Sequence, residues 1–199
     1  MIDEEKQRVA QAGAQLVRAG MRVGIGTGTT VAHLLPLLPA RDVVYVATSP
    51  QTEERALALG LDVRPFDTLD RLDLALDGAD QVSPTRWLVK GGGGAHTREK
   101  IVAAAAERFV VLVSEDKLVD ELAPPVPLEL LAFGLQATLL ALAPARIRGV
   151  PPSPDGGVIA DYLGPVGDPA ELAARLAAVP GVVEHGLFPP ALVDDVLVG

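Results

Sequence analysis

The sequence predicts an α/β protein: a Rossmann-like, mostly parallel sheet with helices on both faces, plus a small α+β subdomain of split-βαβ, ferredoxin-like type. Three observations carry this. The first 64 residues alternate strand-like and helix-like runs as βαβαβ, which implies parallel pairing through right-handed crossovers. Turns rich in Gly, Thr and Asp stand where those strands end, the edge at which open α/β sheets bind ligands. After a Pro-rich connector the order changes to β-α-β-β-α-β. The division expected is residues 1–121 with 189–199 for the sheet domain and 122–188 for the subdomain.

Val9, Ala12, Leu16 and Val17 have helical spacing, so Asp3 to Ala19 reads as a helix with Asp3 as N-cap and Gly20 as stop. Met21 to Ile25 is a strand. It leads into Gly26-Thr27-Gly28-Thr29-Thr30 and a helix from Val31 to Leu38. Asp42 to Ala47 is a buried-type strand. Ser49 then caps a helix with Pro50 at its first position, and Gly60 stops it. Leu61 to Arg64 and Arg71 to Leu76 are strands, the second ending in Asp77-Gly78-Ala79-Asp80. Trp87 to Val89 is β-rich, Ile101 to Arg108 helical, and Phe109 to Val113 a buried strand ending near Lys117.

Ala123-Pro124-Pro125-Val126-Pro127 is a stiff connector. Beyond it come a strand at Leu128 to Leu131, a helix at Phe133 to Leu142, and strands at Ala145 to Gly149 and Val158 to Tyr162. Asp168-Pro169-Ala170-Glu171 combines an N-cap, an N1 proline and an N3 acid, opening a helix to Ala178. Val182 to Phe188 is a strand. Val193 to Val198 is a strand with no local partner, expected to return to the first sheet.

Composition narrows the function. A net charge of −9 argues against a nucleic-acid partner, which needs a basic face. No apolar run is long enough to span a bilayer, and Met1-Ile2-Asp3-Glu4-Glu5 is acidic where a signal peptide is basic. With no cysteine there is no disulfide, thiolate nucleophile or Cys-ligated metal, which fits a cytoplasmic location. Only four of the 17 cations are lysines: Lys6, Lys90, Lys100 and Lys117. A lysine is a compact point charge that arginine does not always replace at a tight anion site.

The stretch with the most chemistry is Lys90-Gly91-Gly92-Gly93-Gly94-Ala95-His96-Thr97-Arg98-Glu99-Lys100. Four successive glycines are costly in chain entropy and suit backbone that must approach something closely. A Gly-rich turn before a helix offers N–H groups to an anion; the plainer reading is a flexible loop with solvated charges. Gly26 to Thr30 is a second such turn, with hydroxyls from Thr27, Thr29 and Thr30, or else a tight turn capped by Thr. It is neither a Walker A loop nor a strict G-x-G-x-x-G. Asp77 and Asp80 need a partner: a metal, sugar hydroxyls or a proton in transit. With no third ligand at metal spacing, hydroxyls and proton transfer are favoured, and no metal is expected.

Taken together, Gly24-Ile25-Gly26-Thr27-Gly28-Thr29-Thr30, Asp77-Gly78-Ala79-Asp80, Lys90-Gly91-Gly92-Gly93 with Thr97-Arg98-Glu99-Lys100, and Lys117 resemble, in order and approximate spacing, the ribose-5-phosphate isomerase type A family. Pro180-Gly181-Val182-Val183 and Gly186-Leu187-Phe188 resemble its C-terminal part. Departures include Thr29 in place of a serine, Gly94 and His96 in place of small and apolar residues, and Pro127-Leu128-Glu129-Leu130. His96 reads as a surface or capping imidazole.

The resemblance implies interconversion of D-ribose 5-phosphate and D-ribulose 5-phosphate without a cofactor, in the non-oxidative branch of the pentose phosphate pathway. It makes Glu99 the base, Lys90 with the amides of Gly91, Gly92 and Gly93 the donors to an enediolate, and Asp77 the group that moves hydroxyl protons. Gly78, Ala79 and Asp80 would bind the sugar. Lys6, Thr27, Gly28, Thr29, Thr30 and Lys117 would hold the phosphate or other substrate oxygens. A homodimer or homotetramer is expected by family analogy. Two other classes compete: an aminosugar-phosphate deaminase-isomerase or CoA transferase on a similar scaffold, and a non-catalytic sugar-phosphate sensor.

Overall fold

The computed structural model describes residues 2–199, which fall into two compact units. The first comprises residues 2–79, 98–118 and 191–199; the second comprises 80–97 and 119–190. Residues 80–97, which the sequence division keeps with the sheet domain, pack with the second unit.

In the first unit, helices α1 (Ile2–Ala14), α2 (Thr29–Leu34) and α3 (Pro50–Ala58) alternate with strands β1 (Arg22–Ile25), β2 (Val44–Ala47), β3 (Asp62–Val63) and β4 (Leu74–Asp77). The second unit contributes β5 (Gln81–Val82) and β6 (Leu88–Val89). Helix α4 (His96–Ala105) starts there and ends in the first unit, followed by β7 (Phe109–Val113). Six strands form one parallel sheet in the order β3-β2-β1-β4-β7 and then β13 (Asp195–Val198). The C-terminal strand thus joins the first sheet, at its edge beside β7, as expected. Strand order reverses between β1 and β4. The carboxyl ends of those two strands therefore flank a topological switch point, where a crevice opens.

The core of this unit is made by the largely apolar strands β1, β4 and β7, through Val23, Ile25, Leu74, Leu76, Val110 and Leu112, against Val9, Val31, Leu34 and Ala56 of the helices. Strands covered on both faces are apolar throughout rather than alternating, and all five residues of β7 are buried. Ser49 caps α3 by accepting the Thr52 N–H at 3.2 Å. Helix α1 ends five residues before Ala19, and a turn, not helix, carries Leu16 and Val17 to the sheet. Helix α2 begins at Thr29, two residues earlier than its apolar spacing indicated, and its N-cap is Gly28 with no side-chain cap.

Tyr45 is fully buried, and its hydroxyl donates to the Pro39 carbonyl at 2.8 Å. Burial pushes its pKa up to about 12. The folded state thus holds this proton to higher pH than the unfolded chain, where the phenol titrates near 10. Its stabilising effect is whole below about pH 10 and is lost as pH rises towards 12. Tyr45→Phe is expected to lower stability by about 1–2 kcal/mol at neutral pH and to flatten the alkaline loss. Urea unfolding at neutral and alkaline pH measures both.

The second unit is built on β8 (Val126–Leu130), α5 (Leu135–Ala141), β9 (Ala145–Ile147), β10 (Val158–Tyr162), α6 (Pro169–Ala177) and β11 (Val182–His185). Its four strands are antiparallel in the order β11-β8-β10-β9, the arrangement that a β-α-β-β-α-β chain gives. Asp168 caps α6 as its motif indicates, accepting the N–H groups of Ala170 and Glu171. Leu128, Leu130, Leu142, Tyr162, Leu172 and Leu176 are central to its core. The single strand expected over Val182 to Phe188 is two. After β11 the chain turns at Gly186, and β12 (Leu187–Phe188) joins β6 and β5 in a separate three-stranded sheet. The Gly186 N–H donates to the Pro127 carbonyl and its carbonyl accepts the Lys90 N–H, so one residue ties both sheets.

Candidate active site

In the first unit the site residues gather at the carboxyl edge of the sheet. Asp77 is the last residue of β4 and only 4% exposed. Its Oδ1 accepts the N–H of Gly78 at 2.7 Å and that of Thr27 at 3.2 Å. The carboxyl group lies directly over Gly26, where any Cβ would overlap it. Gly26 is thus a glycine because the neighbouring strand's acid occupies the space a side chain would need.

Glu99 is also 4% exposed and lies in the first turn of α4. Three residues on, Val102 packs onto Gly24 of β1. Residues three apart share a helix face, so Glu99 is on the sheet-facing side. Helix α4 ends just before β7 begins, and β7 is parallel to β4 and β1. Its start therefore lies at the strands' carboxyl edge, the edge that carries Asp77.

A cationic group lies at the same edge. Lys6 Nζ donates to Thr29 Oγ1 at 2.9 Å. Lys117, in the short 3-10 turn after β7, pairs with Asp116 at 3.0 Å. Hydrogen bonds from Ser114 and Lys117 hold the Asp116 carboxyl below the usual carboxylate range, and the charges of Lys117 and Lys6 add to this. Lys117 thus pairs with this acid, and the charge of Lys6 makes only the smallest contribution. Asp116 was not singled out from the sequence, where it reads as one more charge in a polar turn. Glu5 Oε2 accepts the Glu115 N–H at 3.2 Å, tying α1 to that turn.

The threonines divide in role. Thr27 is held internally: its N–H goes to Asp77, and its hydroxyl bonds Thr48 at 2.9 Å. Thr52 donates to the Gly26 carbonyl at 3.0 Å. Thr48 and Thr52 thus support the turn, a role sequence spacing does not reveal because both lie on other elements. Thr29 meets Lys6, and Thr30 is mostly buried beside Gly78. Gly28 and Thr29 line a cavity of about 260 Å³ with Gln51, Thr52 and Arg55 of α3.

The second unit holds the rest of the predicted residues. Lys90 is 3% exposed, with its Nζ 5.5 Å from the centre of the Phe188 ring, a cation–π contact. The glycine turn that follows is ordered by hydrogen bonds rather than loose. Gly94 N–H donates to the Gly91 carbonyl at 3.0 Å, and Gly92 N–H to Asp80 Oδ2 at 2.8 Å. Asp80, expected to bind sugar hydroxyls, also braces the turn. Gly91 has φ +108°, a conformation L side chains rarely adopt, and a Cβ there would lie 2.7 Å from His96 Nδ1. His96 itself is fully buried at the start of α4. This corrects the surface placement: the imidazole packs under the turn and demands glycine above it. Thr97 Oγ1 donates to the buried carboxylate of Glu129 at 2.5 Å, and Ser153 Oγ does so at 2.5 Å. Among the described residues, no group of three or more His, Cys, Asp or Glu side chains is arranged to hold a metal ion.

The model of the ribose 5-phosphate isomerase A (phosphoriboisomerase A) family matches residues 44–199. The chain belongs to the ribose 5-phosphate isomerase A family. The ribose-5-phosphate isomerase A of Rhodopseudomonas palustris (strain BisB18) is 43% identical, covering 94% of this chain and 90% of that protein. Among solved structures, ribose 5-phosphate isomerase A of Methanocaldococcus jannaschii superposes with a TM-score of 0.93 at 36% identity, over 100% of this chain and 96% of that one. A D-ribose-5-phosphate isomerase in complex with phospho-erythronic acid gives 0.93 at 34% identity, over 100% and 95%. No described helix is long and apolar enough to cross a membrane.

Gly26→Ala tests the packing at β1. The new methyl must displace the Asp77 carboxyl, costing about 1–3 kcal/mol as overpacking does. Moving that carboxyl by about 1 Å tests its expected part in proton transfer, and a loss in kcat of roughly 10²-fold is expected. Thermal unfolding and a ribose 5-phosphate isomerase assay measure the two effects.

Proposed function

We propose that this chain interconverts D-ribose 5-phosphate and D-ribulose 5-phosphate through an enediolate, with Glu99 as the base. The observation that carries the reading is the pair of buried carboxylates, Asp77 and Glu99, at the edge of the sheet that also presents Lys6 and Lys117.

The aldose opens to its chain form, and Asp77 moves the hydroxyl proton. The Glu99 carboxylate takes the proton from C2, leaving an enediolate across C1 and C2. The resulting carboxylic acid returns that proton to C1, and a proton passes between O1 and O2 through Asp77. The product is the ketose, and no atom enters or leaves. A carboxylate with two oxygens can shuttle one proton between adjacent carbons. The developing oxyanion requires donors placed in advance: the Lys90 ammonium and the amides of the glycine turn serve. The phosphate is held by Lys6, Lys117 and the hydroxyls of Thr29 and Thr30. Gly78 and Ala79 contact the sugar through their backbone.

The donors needed for the electrophilic role are all protein groups, so the reaction runs without a cofactor. We place it in the cytoplasm, which the cysteine-free sequence suits, and in a homodimer or homotetramer, which the exposed Phe133 (93%) and Leu140 (80%) support. The direct test is conversion of ribose 5-phosphate to the ketose by purified protein, with and without EDTA. Turnover unaffected by the chelator is expected. Binding without turnover would favour a sugar-phosphate sensor, and loss on chelation would require a metal in the mechanism.

A further inference from the structure

The glycine turn has a buried ion pair beneath it that the catalytic reading does not use. Arg148 and Asp161 are 18% and 11% exposed in their side chains and form a two-pronged pair: Nε donates to Oδ2 at 3.1 Å and Nη2 to Oδ1. Asp161 lies in β10, a strand buried over most of its length. The fork is thereby fixed in direction, since a guanidinium held at two points cannot rotate. Its remaining nitrogen, Nη1, donates to two successive backbone carbonyls, Gly91 at 2.9 Å and Gly92 at 3.0 Å.

Peptide planarity gives this contact a consequence. In a trans peptide the N–H points opposite to the C=O of the same unit. Drawing the Gly91 carbonyl towards Arg148 turns the Gly92 N–H the other way, where Asp80 accepts it at 2.8 Å. Drawing the Gly92 carbonyl to the same nitrogen turns the Gly93 N–H away from the guanidinium, and Gly92 and Gly93 are the exposed part of the turn. A four-glycine run has no side chains to choose between this arrangement and one with its peptides flipped. The free energy of choosing must come from outside the run, and Arg148 and Asp80 grip its two opposite sides.

We propose that Arg148, oriented by Asp161, is a positioning residue that sets the polarity of the glycine turn, so that its amides rather than its carbonyls face the substrate oxygen. The inference rests on the reading of the glycine turn as an enediolate donor, the Gly93 N–H being the amide that faces the oxygen while the Gly92 N–H is held by Asp80. Without Arg148 the peptides flip, and carbonyl oxygens repel the charge they should leave to the amides. That penalty falls on the charged intermediate more than on the neutral aldose, so kcat changes more than KM.

The test measures Arg148→Ala, Arg148→Lys and Asp161→Asn beside wild type and Glu99→Gln on ribose 5-phosphate. Arg148→Ala is expected to lower kcat about 100-fold, the lower end of the loss on deleting one oxyanion donor, with KM within about threefold. Added methylguanidinium should restore at least about a tenth of wild-type kcat to this variant and leave wild type unchanged. Arg148→Lys and Asp161→Asn should each lose about tenfold in kcat, because one loses the fork and the other its fixed direction. These two carry the test if Arg148→Ala does not fold. Variants with kcat within threefold of wild type, a loss confined to KM, or a loss that tracks thermal stability with no guanidinium rescue would each overturn the proposal. An inactive wild type, or an active Glu99→Gln, would instead overturn the catalytic reading itself, so the two failures are told apart.

Discussion

Glu99→Gln is expected to lower kcat by about 10³-fold or more while ribose 5-phosphate still binds within a few-fold of its wild-type affinity. The amide is nearly isosteric and keeps the hydrogen-bonding size of the buried site, but it cannot accept the C2 proton. Removal of a general base takes away about 10²–10⁴ in rate. On the proposed route this carboxylate carries the proton in both half-reactions, so the upper part of that range applies. Two measurements check it. Calorimetric titration of the variant should give a heat of binding, and wild type in deuterated water should place deuterium on C1 where the variant places none. A Gln variant with turnover near wild type would remove Glu99 from the role of base.

Lys90→Met is expected to lower kcat about 10²- to 10³-fold, the loss seen when one preorganised donor to a developing oxyanion is deleted. Methionine keeps the volume of the lysine stem against Phe188, so the core of the second unit stays filled. Thermal unfolding of the variant separates any loss of stability from the loss of rate. Lys90→Arg should not recover the rate, because a planar fork does not fit where a point charge sits. Steady-state kinetics with thermal unfolding of the two variants checks the separation of rate from stability. A Met variant within threefold of wild-type kcat would show that the backbone amides suffice.

Much of this molecule is legible before folding is considered. The apolar strands β1, β4 and β7 announce a sheet covered on both faces. Ser49 and Asp168 mark helix starts through local hydrogen bonds to residues two or three positions on, which spacing alone reveals. Asp77 stands at a strand end because the chain turns there. The boundaries were less legible. Helix α1 ends early because the apolar residues after Ala14 are needed by the sheet core, and burial outweighs the helical period. The strand after Gly181 divides at Gly186 because two different sheets claim its halves, and nothing in seven residues of local sequence records that.

Contacts between residues far apart in the chain were not legible at all. Arg148 is 57 positions from Gly91, and His96 owes its burial to packing beneath a turn whose shape requires Gly91. Lys6 of α1 meets Thr29 of α2, 23 positions later. By itself, the sequence determined the sheet type, the order of the motifs and the helix caps, because periodicity, capping and turn chemistry act over a few residues. The tertiary structure alone decided which hydroxyls are held inward, which way the glycine amides point and which charges share a neighbour. Those depend on directional bonds between distant segments, and only the folded chain brings such segments within 3 Å of each other.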